Sequence, residues 1–184
     1  IHIIPTGLNL SDFAHCDGPA CRARHAISPE RPVMAYVGRV AFEKNLDFLL
    51  RVTEAVRREL PGVLLVIAGE GPARASLERA VARRGLADNV RFVGYLERRT
   101  ELPACYCAAD AFVFASKTET QGLVLLEAMA LGVPVVALAE MGTKDVLQEG
   151  QGCRIAPEDV AGFANVLMPL LQAWMIEKLA SGMA

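Results

Sequence analysis

Two carboxylates eight residues apart, Glu119 and Glu127, stand out in the run from Ser116 to Ala130. An apolar run precedes this stretch and another comes after it. Glu119 therefore falls in a strand-to-helix loop, and Glu127 falls inside the helix. Gly122 between them lets backbone come close to a ligand. Carboxylates accept hydrogen bonds from hydroxyl groups, and the start of a helix, at Gly122 and Leu123, attracts an anion. A ligand that is polyhydroxyl at one end and diphosphate in the middle, as a nucleotide-sugar is, suits that pair of capabilities. The bland alternative makes Glu119 a helix-start anion and Glu127 a wet-face residue. Leu125-Leu126 before Glu127 and Ala128-Met129-Ala130 after it leave the helix little wet face, so an ionised Glu127 needs partners.

A second cluster lies earlier. Gly38-Arg39-Val40-Ala41-Phe42-Glu43-Lys44-Asn45 puts two cations in one loop, where they could clamp a diphosphate. Alone, that loop reads as ordinary solvated charge. Gly69-Glu70-Gly71 is weak by itself, because many strand-to-helix turns use glycine. His2, His15 and His25 show no triad and no metal spacing, and read as surface residues. Cys105-Tyr106-Cys107 reads as a packed helix face. The arginine pairs at 57–58, 83–84 and 98–99 read as solvated, or as contacts to anionic lipid.

Something must position these groups, and the hydrophobic pattern says what. Apolar runs at 33–37, 63–68, 90–93, 111–115, 133–138 and 152–155 read as strands. Helical spacing begins after Asn45, a candidate cap, with Asp47–Arg51 and Glu54–Arg58 as ion pairs on the wet face. Further helices read from Pro72 to Arg84, closed by Gly85, and over 100–109, about 122–130, 143–148 and 157–167. Pro169 should break or kink the segment that runs on to Lys178. Strands apolar throughout, alternating with helices, predict an α/β fold: a doubly wound parallel sheet of about six strands with helices on both faces. Ligands of such sheets bind beyond the C-terminal strand ends, where the loops holding Gly38–Lys44, Gly69–Gly71, Gly94-Tyr95-Leu96 and Ser116–Gly122 gather.

Bulk properties exclude several classes. The chain has 184 residues, 53% of them apolar, and a net charge of -2. That is enough for one full core and gives no general attraction to nucleic acid. No apolar run approaches the roughly 20 residues that span a bilayer. Five cysteines at irregular spacing argue against structural zinc and fit a reducing, cytoplasmic compartment.

In order, Gly38-Arg39 with Glu43-Lys44-Asn45, Ile67-Ala68-Gly69-Glu70-Gly71-Pro72, Val90-Arg91-Phe92-Val93-Gly94-Tyr95, Ala109-Asp110 with Ser116, and Glu119-x7-Glu127 with Gly132-Val-Pro-Val-Val beyond it resemble one family. It is the retaining, nucleotide-sugar-dependent glycosyltransferases built from two Rossmann-like domains, the GT-B architecture. The resemblance spans roughly Ile3 to Leu167. It implies the C-terminal, donor-binding domain of a hexosyltransferase, with a UDP-sugar as the favoured donor and neither metal nor other cofactor. By resemblance, Arg39 and Lys44 bind the diphosphate beside Gly38, and the Gly122-Leu123 backbone also faces phosphate. Glu127 holds the ribose hydroxyls, Glu119 meets the transferred sugar, and Gly94-Tyr95-Leu96 lies near the base. Glu119, Arg39 and Lys44 are the catalytic candidates.

Where many members carry Glu-Gly-Phe-Gly, this chain has Glu119-Thr120-Gln121-Gly122. With Ser116-Lys117 and Gly142–Val146, that variant resembles the branch acting on diacylglycerol and related lipids, and implies peripheral contact with the cytoplasmic membrane face. Residues 1–10 read as an inter-domain linker, 11–168 as the donor domain, and 169–184 as a helical segment returning to an N-terminal, acceptor-binding domain. Without that domain the chain is expected to turn over nothing. Two rivals remain at this point. A non-catalytic nucleotide-binding module would have no use for Glu119. Half of a two-domain sugar-nucleotide epimerase would need acid and base groups near the sugar.

Overall fold

Five apolar residues in a row, Val33–Val37, form β1, buried on both faces. Such a strand needs neighbours on both edges and layers on both sides. Those neighbours are β2 (Leu64–Ala68) and β4 (Ala111–Phe114), which are also fully buried. β3 (Val90–Gly94) lies outside β2, while β5 (Val135–Ala137) and β6 (Cys153–Ile155) extend the sheet beyond β4. The helices are α1 (Gly18–Arg24), α2 (Leu46–Val56), α3 (Arg74–Arg83), α4 (Glu101–Cys107), α5 (Leu123–Ala130), α6 (Thr143–Val146) and α7 (Val160–Ala180). This is a computed structural model, in which residues 8, 13, 16–140 and 143–180 are described.

All six strands are parallel, in the order β3-β2-β1-β4-β5-β6. β1 runs in register with β2 from Val33↔Leu64 to Val37↔Ala68, and pairs with β4 through Met34↔Ala111 and Ala35↔Phe112. The winding reverses between β1 and β4. The loops leaving those two strands therefore diverge to opposite faces and open a crevice at their C-terminal ends. Tyr36, Phe112 and Phe114 fill the core beneath it, with the Tyr36 and Phe114 rings stacked at 6.1 Å and those of Phe112 and Phe114 at 6.3 Å.

The opposite, N-terminal edge is held by a helix that the hydrophobic pattern does not predict. Asp17 caps α1 by accepting a hydrogen bond from the Ala20 amide at 2.8 Å, and Pro19 suits its first turn. α1 packs on α4 so closely that a Cβ on Gly18 would lie 2.3 Å from the Cys107 carbonyl oxygen. This packing has two effects. Cys16 and Cys107 form a disulfide, which the irregular cysteine spacing does not announce and a reducing compartment would not favour; Cys21, Cys105 and Cys153 remain free and buried. Arg22 is carried inward, where Nη2 donates to both Asp110 carboxylate oxygens at 3.0 Å and Nε donates to the Ala108 carbonyl at 2.9 Å. Asp110 Oδ2 accepts in turn from the Val33 amide at 2.7 Å, fastening the starts of β1 and β4 together.

Three further details differ from expectation. Asn45 precedes α2 in the left-handed conformation, φ 56°, and makes no side-chain cap. Glu54 pairs with Arg84 at 3.1 Å, a long-range tie between α2 and the end of α3. α7 does not end at Pro169 but runs through it, packing on α2, β4 and β5. The boundary read between 168 and 169 thus falls inside one helix. The linker read over residues 1–10 lies outside the described residues except for Leu8.

Candidate functional site

The crevice between β1 and β4 is bridged twice. Lys44 Nζ donates to Glu119 Oε2 at 3.1 Å, and Asn45 Nδ2 donates to the Ala115 carbonyl at 3.2 Å. Residues 75 positions apart therefore meet where doubly wound sheets bind ligands. A recess of about 430 Å³ opens there, lined by Gly38, Arg39, Lys44, Thr118, Glu119 and Val124 among others. Its floor is Tyr36, fully buried, whose hydroxyl donates to the Arg39 carbonyl at 3.1 Å and so fixes the loop that carries both cations. Burial, then the nearby charges of Glu119 and Glu43, push the Tyr36 phenol well above its usual range and keep it a neutral donor. The Arg39 guanidinium is exposed, 3.7 Å from Glu43.

A second recess of about 310 Å³ shares Val37, Gly38 and Arg39 with the first and continues past Ala68, Gly69 and Glu70 to Tyr95, Leu96 and Leu102. The glycines between the recesses serve the protein as well as any ligand. A Cβ on Gly69 would lie 1.9 Å from the Gly38 carbonyl oxygen, and one on Gly71 would lie 2.3 Å from that of Val40. The β1 and β2 loops cross there. The Gly38 amide donates to the Ala68 carbonyl at 3.0 Å, and the Val40 amide donates to that of Glu70 at 2.9 Å. Tyr95 is 78% exposed at the mouth of the second recess.

Glu127 has the partners that its apolar helix demands. It is 2% exposed, and Oε2 accepts from the Tyr106 hydroxyl at 2.8 Å. Oε1 accepts from Arg98 Nη2 at 3.2 Å. Burial, then the charge and hydrogen bond of Glu127, raise the Tyr106 phenol well above its ordinary value, so Tyr106 donates rather than competes as an anion. Gly122, at φ 65°, begins α5 as the sequence predicts, and its amide points to Glu119 Oε1 at 3.5 Å.

Burial would raise the Glu119 carboxyl, but the hydrogen bond and charge of Lys44, with the Gly122 and Gln121 amides, outweigh it and lower the pKa below its ordinary 4.5. A lowered folded-state value means stability that is present above the unfolded value and is lost as pH falls through the folded one. Replacing Lys44 by methionine removes the first counterweight. The Glu119 carboxyl then titrates higher in a carboxylate-resolved NMR titration, and the stability gap between wild type and variant narrows as the solution is acidified below about pH 4.5.

The structure thus brings Gly38, Arg39, Lys44 and Glu119 to one recess, with the Gly122 amide 3.5 Å from Glu119 and Leu123 next in α5, and brings Tyr95 and Leu96 to the second recess, where Gly94 ends β3 just before them. It holds Glu127 beneath, against α4, lining neither recess. Tyr36, Arg98 and Tyr106 are not signalled by the sequence: Tyr36 reaches only a backbone carbonyl three residues on, and Arg98 and Tyr106 meet Glu127 across 29 and 21 residues, which no spacing announces. The arginine pairs are not all free for lipid: Arg98 holds Glu127, Arg57 donates to the Arg84 carbonyl at 3.2 Å, and Arg84 pairs with Glu54. Among the described residues no cluster of three histidine, cysteine or acidic side chains could hold a metal, and no helix is long and apolar enough to cross a membrane.

Comparison with known proteins gives a consistent picture. Residues 19–181 match the family described as Glycosyl transferases group 1. The chain is 32% identical over 154 residues to an Alpha-D-kanosaminyltransferase of Streptomyces kanamyceticus, covering 82% of this chain and 39% of that protein. It is 30% identical to the solved sucrose-phosphate synthase of Thermosynechococcus elongatus, with a TM-score of 0.80 over 95% of this chain and 44% of that one. Its fold also matches Anabaena Alr3699/HepE, crystallised with UDP, at TM-score 0.78 and 21% identity over 94% of this chain and 47% of that one. The chain spans only 27–39% of the length of the first curated relatives.

Proposed function

The chain belongs to the group 1 glycosyl transferases, and from that premise we propose that it is the donor-binding half of a retaining hexosyltransferase of the two-domain GT-B type. One observation carries the reading: Lys44 and Glu119, remote in sequence, meet at 3.1 Å in the crevice where the winding of the sheet reverses. The UDP held by a structure of the same fold favours a UDP-sugar as donor.

In this reading Arg39 and Lys44 take the diphosphate. Their charge stabilises the leaving group as the sugar bond breaks, where preorganised cations act most strongly. The Gly122 and Leu123 amides add donors at the start of α5. Lys44 exchanges its Glu119 contact for phosphate, which frees the Glu119 carboxylate for the hydroxyls of the transferred sugar. Glu127 accepts from the ribose diol, and the base enters the recess beside Tyr95 and Leu96. An acceptor held by another part of the whole protein would complete the site, and positioning of that kind supplies about 7–11 kcal/mol of a barrier. A non-catalytic nucleotide module has no use for the buried-edge pair Lys44–Glu119.

Support for a lipid acceptor rests on the Ser116–Gln121 run, because Arg57, Arg84 and Arg98 are engaged within the protein. Sedimentation of the whole protein with anionic liposomes tests that part separately: co-sedimentation supports it, and a protein left in the supernatant contradicts it.

The donor reading is tested by calorimetric titration with UDP, GDP and ADP. UDP is expected to bind with the highest affinity of the three. An absence of heat from all three at millimolar concentration would contradict it.

A further inference from the structure

We infer that Arg98 is a further determinant of donor affinity, holding on Glu127 the place that a ribose hydroxyl must take. The inference rests on the reading of Glu127 as the ribose acceptor and goes beyond it. Both oxygens of the Glu127 carboxylate are engaged: Tyr106 donates to Oε2 at 2.8 Å and Arg98 to Oε1 at 3.2 Å. The carboxylate is 2% exposed as a residue, so no open side awaits a third donor.

The two partners differ in kind. Tyr106 is fully buried in α4, its ring 5.4 Å from that of Phe112, and has nowhere to go. The Arg98 side chain is 65% exposed. It sits on the β3–α4 connection, two residues beyond Leu96 at the mouth of the second recess. The loop backbone there is fixed independently of the guanidinium. Glu97 accepts from the Arg99 amide at 3.0 Å and the Thr100 amide at 2.8 Å, and the Glu97 amide donates to Glu101 at 2.9 Å. The side chain can therefore leave while the loop stays.

Donor binding thus becomes an exchange. An ion pair from solvent-exposed Arg98 is given up, and one or two ribose hydroxyls replace it on the same carboxylate. Until a ligand arrives, Arg98 prevents Glu127 from being a buried charge with one neutral donor, which would be costly. The stabilisation it gives the empty site is subtracted from the affinity of the filled one.

The test is titration of the protein with UDP in four forms: wild type, Arg98→Met, Glu127→Gln and the double variant, each checked for a cooperative thermal transition. Arg98→Met is expected to bind UDP about three- to tenfold more tightly than wild type, the range for a partly exposed ion pair on a buried partner. That gain should shrink or vanish when Glu127→Gln is also present, because a neutral amide forms no ion pair with the guanidinium and holds it far more weakly. Unchanged or weaker binding by Arg98→Met, with Glu127→Gln still weakening it, would overturn the inference and leave the ribose reading intact. Unchanged binding by Glu127→Gln would instead remove the ribose reading itself, and the inference with it.

Discussion

Replacing Asp110 by alanine is expected to destabilise the protein by about 3–5 kcal/mol, the cost of removing one partner from a buried ion pair. Arg22 and Asp110 are 8% and 9% exposed, and Arg22 Nη2 meets both carboxylate oxygens at 3.0 Å. Without Asp110 the guanidinium loses its carboxylate and is left beside neutral backbone carbonyls, Ala108 at 2.9 Å, Ser28 at 3.1 Å, Pro29 at 3.2 Å and Arg31 at 2.8 Å. The Val33 amide loses its acceptor as well, at the first residue of the central strand. Coulomb attraction between two exposed side chains would be worth a small fraction of this. Urea unfolding with the transition monitored by circular dichroism measures the difference. A loss below about 1 kcal/mol would show that the pair is solvated. Because the pair lies at the N-terminal edge of the sheet, any variant that remains folded should keep its nucleotide affinity.

A comparable effect at the other edge is expected from Gly69→Ala, about 2–5 kcal/mol, combining backbone strain with overpacking. Gly69 sits at φ +134°, a conformation that side chains disfavour, and its Cβ would lie 1.9 Å from the Gly38 carbonyl oxygen. Neither atom can yield cheaply, since the Cβ is fixed by its own backbone and the oxygen it meets is a backbone carbonyl. The loop from β1 must move, and Arg39 and Lys44 ride on it. Gly69→Ala should therefore weaken UDP binding as well as stability, whereas Gly62→Ala, with open space around its Cβ, should do neither. The two together measure stability and binding on one axis. A Gly69→Ala protein with wild-type stability and affinity would mean that the crossing of the two loops is loose.

The sheet and the ends of its strands are legible in the sequence because their signals are local. Val33–Val37 and Val63–Ala68 are apolar without interruption, and only a covered parallel sheet uses such strands. Gly85 foretells the end of α3, and the Leu86 amide beyond it reaches back to the Val81 carbonyl at 2.9 Å. The start of α5 at Gly122-Leu123 is legible for the same reason. α1 is not, although Asp17-Gly18-Pro19 is a helix-start signature, because seven residues show too little periodicity to confirm it. The disulfide is hidden because Cys16 and Cys107 are 91 residues apart and join only through the packing of α1 on α4. The glycines at 69 and 71 read as room for a ligand; the structure adds that they are room for a neighbouring loop.

Of the site, residue types and order are legible, and partnerships are not. The need of Glu127 for partners comes from its apolar helix. That the partners are Tyr106 and Arg98 depends on how α4 and its preceding loop fold across the sheet. The meeting of Lys44 and Glu119 depends on which strands neighbour each other at the reversal of winding, and no sequence spacing records that order.

The division of labour between the two glutamates is the central claim, and UDP titration of wild type, Glu127→Ala and Glu119→Ala tests it most directly. UDP carries ribose but no transferred sugar. Glu127→Ala should lose about 1.5–3 kcal/mol of binding, the worth of a hydrogen bond to a charged group. Glu119→Ala should lose far less, because it meets only the sugar that UDP lacks and its removal leaves Lys44 free for phosphate. Equal losses from the two substitutions, or a larger loss from Glu119→Ala, would contradict the claim.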